Sequence, residues 1–259
     1  MKIIAVIPAR LASTRFPNKV LFNFFGLPMV EHVRRRALLS GYLSEVYVAT
    51  CDNEIADTIN SYGGKVILTS NKHPNGTSRV AEAVSTYDCS HVLLLQGDEP
   101  LLLPRHIDTV ITSIKENQNK DAWNATGKIN SEDELNSNSF VKCAVMNSDN
   151  ILHCFRRTPY FSKLDIQQKF VRKLLGVIAY RKDFLLHLAT LKETIIENTE
   201  SIEQMRIIEN GYELQSVPVE PSLPSVNEPH ETELILDFVK NNVEQKIILE
   251  KTLSFLLPS

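Results

Sequence analysis

The chain has 259 residues, of which 43% are hydrophobic and 23% charged, as in globular proteins large enough to bury a sizeable core. The formal charge of −3 excludes the overall basic field that recruits nucleic acid. The four cysteines form no C-x-x-C pair, which argues against a zinc or redox site and predicts a cytoplasmic location. The apolar run after Met1 is too short for a signal peptide or a membrane span, so we expect no membrane insertion.

The first hundred residues alternate between predicted strands and helices. Apolar runs predict four strands, at 3–7, 45–50, 65–69 and 91–96, and the first of them is expected to be buried on both faces. Helical spacing, capping residues such as Asp52 and glycine stops predict three helices, at 28–40, 52–62 and 78–87. This alternation predicts an α/β fold, a predominantly parallel sheet with flanking helices. Because ligands bind beyond the carboxyl ends of such strands, we expect the chemistry after Ile7, Thr69 and Gln96.

The rest of the chain changes character. Polar residues 130–139 predict a loop, and 140–146 and 151–155 predict paired strands. Further elements are expected in the order strand, helix, proline-rich loop and helix, at 174–181, 201–209, 221–229 and 231–240. We expect one domain over 1–259, with about 130–180 contributing a small subdomain and 241–259 a C-terminal helical tail.

A basic loop follows the first predicted strand and reads ARLASTRFPNK at 9–19. Cations interleaved with small hydroxyl residues suit a triphosphate, because charge, hydroxyl groups and backbone N–H groups all contact phosphate oxygens. The loop matches neither the dinucleotide-binding nor the P-loop pattern. A solvated basic loop is the alternative, and the position directly after a strand favours phosphate binding.

Asp98 lies in the segment QGDEP, directly after the fourth predicted strand. A carboxylate presented there suits Mg²⁺, which keeps several waters and bridges to phosphate oxygens. An aspartate that only caps a turn is the alternative.

The segment NGTSR at 75–79 opens a helix. Its N–H groups suit a nucleotide, although a helix cap needs no ligand.

A third set of polar residues lies in the second half of the chain: Lys142, Arg156, Arg157, Glu203 and Gln204. Guanidinium groups match carboxylates in bidentate fashion, which suits an acidic substrate. Ordinary surface charges are the alternative. The seven histidines show no metal-ligand spacing.

Together these motifs resemble the 3-deoxy-manno-octulosonate cytidylyltransferases, also called CMP-Kdo synthetases. The resemblance runs in order from Ile3 to about Leu236 and includes IPARLASTRFPNK, VYVATCDNEIA, NGTSR, LLLQGDEPLL, VKCAV, LLGVIAYRKDFL and IEQMRIIENGYEL. It implies a Rossmann-like fold with a small dimerisation subdomain, and a homodimer. It also implies an enzyme of lipopolysaccharide biosynthesis that joins CTP to an acidic eight-carbon sugar, with Mg²⁺, and releases pyrophosphate.

The resemblance also implies roles for individual residues. The catalytic residues would be Arg10, Lys19 and Asp98. The CTP contacts would be Arg10, Ser13, Arg15, Lys19, Asn75, Gly76, Arg79 and Gln96. The sugar contacts would be Arg15, Gln96, Lys142, Arg156, Tyr180, Glu203 and Gln204. Asp98 would be the metal ligand, and Asn227 is the candidate second metal position.

Three positions depart from the family pattern. The family's V-D-T-P segment, whose Asp helps to bind metal, reads Val226-Asn227-Glu228-Pro229 here. The family's H-L-G segment reads Leu174-Leu175-Gly176, and Ser78 replaces the acidic residue of its G-T-E/D-R turn. Two alternatives therefore stay open. One is a cytidylyltransferase for another acidic acceptor, such as a modified Kdo, a nonulosonic acid or a phosphonate. The other is a non-catalytic homologue that binds nucleotide.

Overall fold

The computed structural model describes residues 1–13, 15–226 and 228–255. It divides the chain into two compact units, residues 109–222 and the remainder, so that residues from 223 onwards belong with 1–108. This division does not test the expectation of a single domain with a subdomain at about 130–180, which stays a prediction.

The first unit is built on four parallel strands. Its strands are β1 (Ile3–Pro8), β2 (Asn23–Phe24), β3 (Leu27–Pro28), β4 (Glu45–Thr50), β5 (Lys65–Leu68) and β6 (His91–Leu95). Parallel pairing gives the order β6-β1-β4-β5, while β2 and β3 form a separate antiparallel pair. Residues 3–7 of β1 are all buried, as the apolar run predicts.

Three helices of this unit pack on its sheet: α1 (Met29–Leu38), α2 (Asn53–Ser61) and α3 (Gly76–Val84). The predicted alternation of strand and helix over the first hundred residues is therefore confirmed, and so is the α/β fold with a parallel sheet and flanking helices. The helix α4 (Pro104–Glu116) follows β6, and the division between the units falls within it.

The second unit is largely antiparallel. Its strands are β7 (Ala122–Lys128), β8 (Lys142–Val145), β9 (Ile151–Phe155), β10 (Val171–Arg181) and β11 (Gln215–Pro218). Strand β10 pairs antiparallel with both β7 and β8, β8 pairs with β9, and β11 runs parallel to β7. Its helices are short: α5 (Glu132–Asn136), α6 (Leu164–Gln167), α7 (Lys182–Leu188), α8 (Ile195–Glu200) and α9 (Met205–Glu209).

Two helices complete the first unit, α10 (Glu231–Asn241) and α11 (Val243–Leu253). Residues Ile235 and Val239 of α10 join a buried cluster with Phe24, Leu101 and Val226. The C-terminal helices thus help to form the core beneath the segments around 98–102 and 226. Within the described residues, no helix is long and apolar enough to cross a membrane.

Several predicted boundaries were wrong for identifiable reasons. The helix expected at 78–87 spans Gly76–Val84, because the Asn75 side chain accepts a hydrogen bond from the Ser78 N–H and caps it there. The helix expected at 201–209 covers only Met205–Glu209, because Ser201 takes a left-handed conformation (φ 54°), in which it ends α8 and cannot begin a new helix. The polar stretch 130–139 contains a short helix, α5, which Ser131 caps.

Candidate active site

The loop after β1 turns back on itself. The Ser13 and Asn18 N–H groups both donate to the Leu11 carbonyl, at 2.8 and 3.2 Å. Arg10 and Arg15 are exposed and Ser13 is half-buried. Within the described part of the chain, neither arginine side chain has an ion-pair partner. Two unpaired guanidinium groups on a folded loop are what an anionic ligand requires.

The side chain of Asp52 is hydrogen-bonded to this loop. The sequence predicts that Asp52 caps α2, and the residue does occupy the N-cap position, but its side chain makes no capping bond. Its carboxylate instead accepts a hydrogen bond of 2.8 Å from the Leu11 N–H, 41 residues away. Sequence reasoning missed this role, because a helix cap is the usual interpretation of an aspartate at that position.

Lys19 and Asp98 are brought together at the carboxyl end of β6. Lys19 is buried, and its Nζ donates to Asp98 Oδ2 at 2.6 Å and to the Val226 carbonyl at 3.0 Å. The Val226 N–H in turn donates to the Asp98 carbonyl at 3.0 Å. Three distant segments therefore meet where a parallel sheet presents its ligands, as the sequence predicts for Lys19 and Asp98. Gln96 precedes Asp98 by two residues in the chain and is exposed.

The NGTSR turn also lies at this edge of the sheet. Gly76 begins α3, and a Cβ atom there would lie 3.1 Å from Pro8 Cγ at the end of β1, which is closer than ordinary van der Waals contact. Arg79 is buried, and its Nη1 donates to Thr69 Oγ1 at 2.6 Å and to the Ser70 carbonyl at 3.3 Å. In this structure Arg79 fixes the loop after β5. Its assignment as a CTP contact stays a prediction.

A polar cluster of His73, Ser78 and Glu82 lies at this turn and was not predicted from the sequence. His73 Nδ1 lies 3.2 Å from Ser78 Oγ, and His73 Nε2 contacts the carboxylate of Glu82. Although burial raises the pKa of Glu82, hydrogen bonds from His73 and from the Ser70 N–H hold it below its usual value. Ser78, where the family pattern has an acid, therefore neighbours a carboxylate supplied by α3.

Three cations gather in the second unit around Lys142. Lys142 on β8 and Lys173 on β10 are directly opposite in register, and both are buried. Their Nζ atoms lie 4.5 and 4.4 Å from the centre of the Phe140 ring. Burial, together with the charges of Arg156 and Lys173, lowers the pKa of Lys142 to about 8. Like charges opposite each other are unfavourable, so this arrangement favours an added anion.

The structure also places the other predicted sugar contacts of the second unit. Arg156 is tied to the end of α8, since its Nε donates to the Glu200 carbonyl at 3.0 Å. Gln204 is buried and donates to Asn124 Oδ1 at 3.2 Å, and it follows the half-buried Glu203. Tyr180 is buried on β10. The structure thus places Arg156 near Lys142, and Gln204 beside Asn124, a residue that sequence reasoning missed.

Comparison with known proteins shows the family. The cytidylyltransferase family profile matches residues 4–216. A 3-deoxy-manno-octulosonate cytidylyltransferase from Geotalea uraniireducens is 36% identical over 93% of this chain and 100% of its own. An Escherichia coli protein of the same name is 33% identical over 88% of this chain and 92% of its own. The chain belongs to the 3-deoxy-manno-octulosonate cytidylyltransferase family.

A solved member of this family has the same fold. It is the CMP:2-keto-3-deoxy-manno-octonic acid synthetase complexed with CTP, with a TM-score of 0.86 and 32% identity over 93% of this chain and 99% of its own. The predicted family and the predicted class, a nucleotidyltransferase of cytidylyltransferase type, are therefore confirmed. The roles of individual site residues stay predictions.

The three departures from the cytidylyltransferase pattern have different structural settings. Leu174 is half-buried on β10, in register with Thr126 of β7. Ser78 lies in the first turn of α3, beside His73. Asn227, the candidate second metal position, lies outside the described residues.

Proposed function

We propose that this cytidylyltransferase transfers the CMP group of CTP to the anomeric hydroxyl of Kdo or a closely related acidic sugar. The hydroxyl oxygen forms a bond to the α-phosphorus, and the bond from that phosphorus to the β-bridging oxygen breaks. Pyrophosphate leaves with the electron pair, and the hydroxyl proton is released. Such a displacement needs positioning and charge neutralisation more than a covalent nucleophile.

The observation that carries the proposal is the Lys19–Asp98–Val226 cluster beyond β6. Lys19 Nζ, 2.6 Å from Asp98, is a buried cation at the ligand edge of the sheet. Arg10 and Arg15 add exposed guanidinium groups from the loop that ends in Lys19. These cations would neutralise the triphosphate, with Ser13, Asn75, Gly76, Arg79 and Gln96 as further CTP contacts carried over from the family.

Mg²⁺ is a fitting ion for this chemistry. Among the residues with described positions, no group of three or more His, Cys, Asp or Glu side chains forms a metal cage. Mg²⁺ commonly needs only one or two carboxylates, because substrate phosphates and waters complete its shell. Asp98 would hold it, since Lys19 occupies Oδ2 and Oδ1 has no hydrogen-bond partner in the described chain. When bound, Mg²⁺ would withdraw charge from the phosphates and lower the pKa of the attacking hydroxyl.

The cations of the second unit support an acidic acceptor. Lys142 and Lys173 are buried like charges in register, with Arg156 within electrostatic reach of Lys142. A carboxylate would relieve their repulsion, and a neutral sugar would not. Arg15, Gln96, Tyr180, Glu203 and Gln204 are the further sugar contacts carried over from the family.

The family resemblance also suggests where the enzyme works and in what form. We propose a cytoplasmic homodimer that takes part in lipopolysaccharide biosynthesis. The four cysteines form no C-x-x-C pair, which suits a reducing compartment. Light scattering of the purified protein tests the dimer.

The residue at position 174 bears on the choice of acceptor. Leu174 replaces the histidine that the family pattern has at the sugar site. A modified Kdo, a nonulosonic acid or a phosphonate is therefore the second candidate acceptor. Phosphorus NMR of the reaction tests both. The α-phosphorus signal of CTP should convert to that of a CMP phosphodiester with a sugar acceptor, or to that of a CMP anhydride with a phosphonate, in step with pyrophosphate. A protein that binds CTP but forms no CMP product with any acid would be the non-catalytic homologue.

A further inference from the structure

Helix α1 carries a buried row of charges. Glu31 is fully buried and accepts hydrogen bonds from Arg34 at 2.6 Å and from Arg35 at 2.5 Å. Arg36, the next residue, is equally buried but has no carboxylate partner in the described part of the chain. Its Nη1 donates to the Leu102 carbonyl at 3.2 Å and to Gln245 Oε1 at 2.8 Å. Burial lowers the pKa of Arg36 to about 10.

Gln245 on α11 is the second member of this network. Its side chain is 1% exposed, and its Nε2 donates to the Leu101 carbonyl at 2.8 Å while its Oε1 accepts from Arg36. Its own position is fixed at the start of α11, where its N–H donates to Asn242 Oδ1. Both amide atoms of one glutamine are thus committed to holding a loop and an arginine.

The loop so held is the one that carries Asp98. Leu101 and Leu102 follow Asp98 by three and four residues, and the Leu102 N–H donates to the Glu99 carbonyl at 3.1 Å. On its other side the Asp98 carbonyl accepts from Val226. Leu101 and Val226 both belong to the buried cluster that includes α10. The loop is therefore held in place by contacts with both C-terminal helices, α10 and α11.

Burying an arginine without a carboxylate partner has an unfavourable desolvation free energy. Apolar side chains of similar volume are often as stable or more stable than buried charges. What apolar side chains cannot do is fix two specific carbonyl groups in one direction. The network therefore has a use that packing alone does not explain.

We propose that Arg36 and Gln245 are positioning residues for Asp98: by binding the Leu102 and Leu101 carbonyls, they fix the loop that presents the carboxylate to the metal and the triphosphate. This inference rests on the proposed function for its catalytic consequence. The structural part, that α11 immobilises residues 98–103, stands on its own.

Gln245→Glu is the sharpest test. The new carboxylate keeps the bond from Arg36 and stays ionised beside it, so the fold is retained. It can no longer donate to the Leu101 carbonyl, which it repels instead. We expect faster amide hydrogen exchange in 98–103, about tenfold lower kcat and a several-fold higher Mg²⁺ concentration for half-maximal rate, since small displacements of catalytic groups are costly.

The matched control is Glu244→Gln, on the same turn of α11, which removes only an exposed ion pair with Arg105. It should keep native exchange and native kcat. A Gln245→Glu enzyme with unchanged rate and magnesium dependence, or with a lowered rate but unchanged exchange of 98–103, would overturn the proposal.

Two further measurements keep the test decisive. The double variant Arg36→Met with Gln245→Leu fills the same space without charge. If it melts like the native protein yet shows the same faster exchange and lower kcat, the carbonyl anchors are responsible. Full activity of that variant would overturn the proposal.

If the native protein makes no CMP product, the proposed function has failed. Exchange of 98–103 and calorimetric binding of Mg²⁺ with CTP then still decide whether the network positions Asp98.

Discussion

Lys19 and Asp98, 79 residues apart in the chain, form a largely buried ion pair of 2.6 Å beyond the carboxyl end of β6. The pair satisfies both charges before any substrate arrives, which is necessary because an unpaired buried charge is strongly unfavourable. It also places a cation that can bind phosphate within hydrogen-bonding distance of an anion that can bind metal. The proposed triphosphate and metal sites both depend on that contact.

Asp98→Asn tests the metal-ligand role. The amide keeps the shape of the side chain and can still accept a hydrogen bond from Lys19 Nζ, but it removes the negative charge. Turnover should therefore fall by about 10²–10³-fold, while the unpaired charge of Lys19 lowers the melting temperature without unfolding the protein. Steady-state product formation and thermal melting measure the two effects. Asp88→Asn is the control, because Asp88 is exposed and forms an ion pair with Lys2 at 3.5 Å. Near-normal turnover with a stability loss of about 1–2 kcal/mol would instead make Asp98 a turn cap.

Asp52→Ala tests the support of the triphosphate loop. Without the carboxylate, the Leu11 N–H loses its 2.8 Å partner and the loop that carries Arg10 loosens. We expect a several-fold higher KM for CTP and a stability loss of about 1–2 kcal/mol. Asp57→Ala, an exposed position on α2, should change neither. If KM for CTP stays native in Asp52→Ala, the loop does not depend on this bond.

The pH profile tests the role of Lys142. Burial, followed by the charges of Arg156 and Lys173, lowers the pKa of Lys142 to about 8, so its positive charge is lost as pH rises through that value. Because kcat/KM reports ionisation of the free enzyme, kcat/KM for an acidic acceptor should fall above about pH 8. Lys142→Met should have a lower kcat/KM without that fall. Lys169→Met, at an exposed position, should keep the native profile. A native profile in Lys142→Met would remove Lys142 from the acceptor site.

Asn227→Asp tests the family's second metal position. An amide oxygen can bind Mg²⁺ but adds no negative charge, so the native enzyme should need more Mg²⁺ than a two-carboxylate site would. Restoring the acid should lower the Mg²⁺ concentration for half-maximal rate. If the magnesium dependence is unchanged, position 227 is not a metal position.

The fold of the first unit was largely predictable, because its four parallel strands are mostly apolar runs, of which β1 and β6 are almost fully buried, and its helices have clear stops. Helix α4 was missed despite a first-turn proline, Pro104, and apolar residues at helical spacing such as Ile107, Ile111 and Ile114. Strand β7 was missed because Asn124 and Thr126 interrupt its apolar pattern. Both are buried and satisfied by tertiary partners, Thr126 by Ser216 at 2.8 Å, and no local pattern shows this.

The candidate site was predictable only in part, for a similar reason. Lys19 and Asp98 follow strands that a parallel sheet brings together, so topology alone predicts their proximity. The contacts of Asp52 with Leu11, and of Arg36 with Gln245, join residues 41 and 209 positions apart. Their side chains have ordinary local interpretations, a helix cap and a surface charge, which only the tertiary structure overturns.

The central claim is tested most directly by measuring pyrophosphate release with a panel of nucleotides and acidic acceptors. The account predicts CTP-dependent release with Kdo or a close relative, a matching yield of CMP-sugar, and far slower release with ATP or GTP. Equal rates with ATP would contradict the nucleotide assignment. No CMP product with any acidic acceptor at any magnesium concentration would contradict the assignment of this chain as an active cytidylyltransferase.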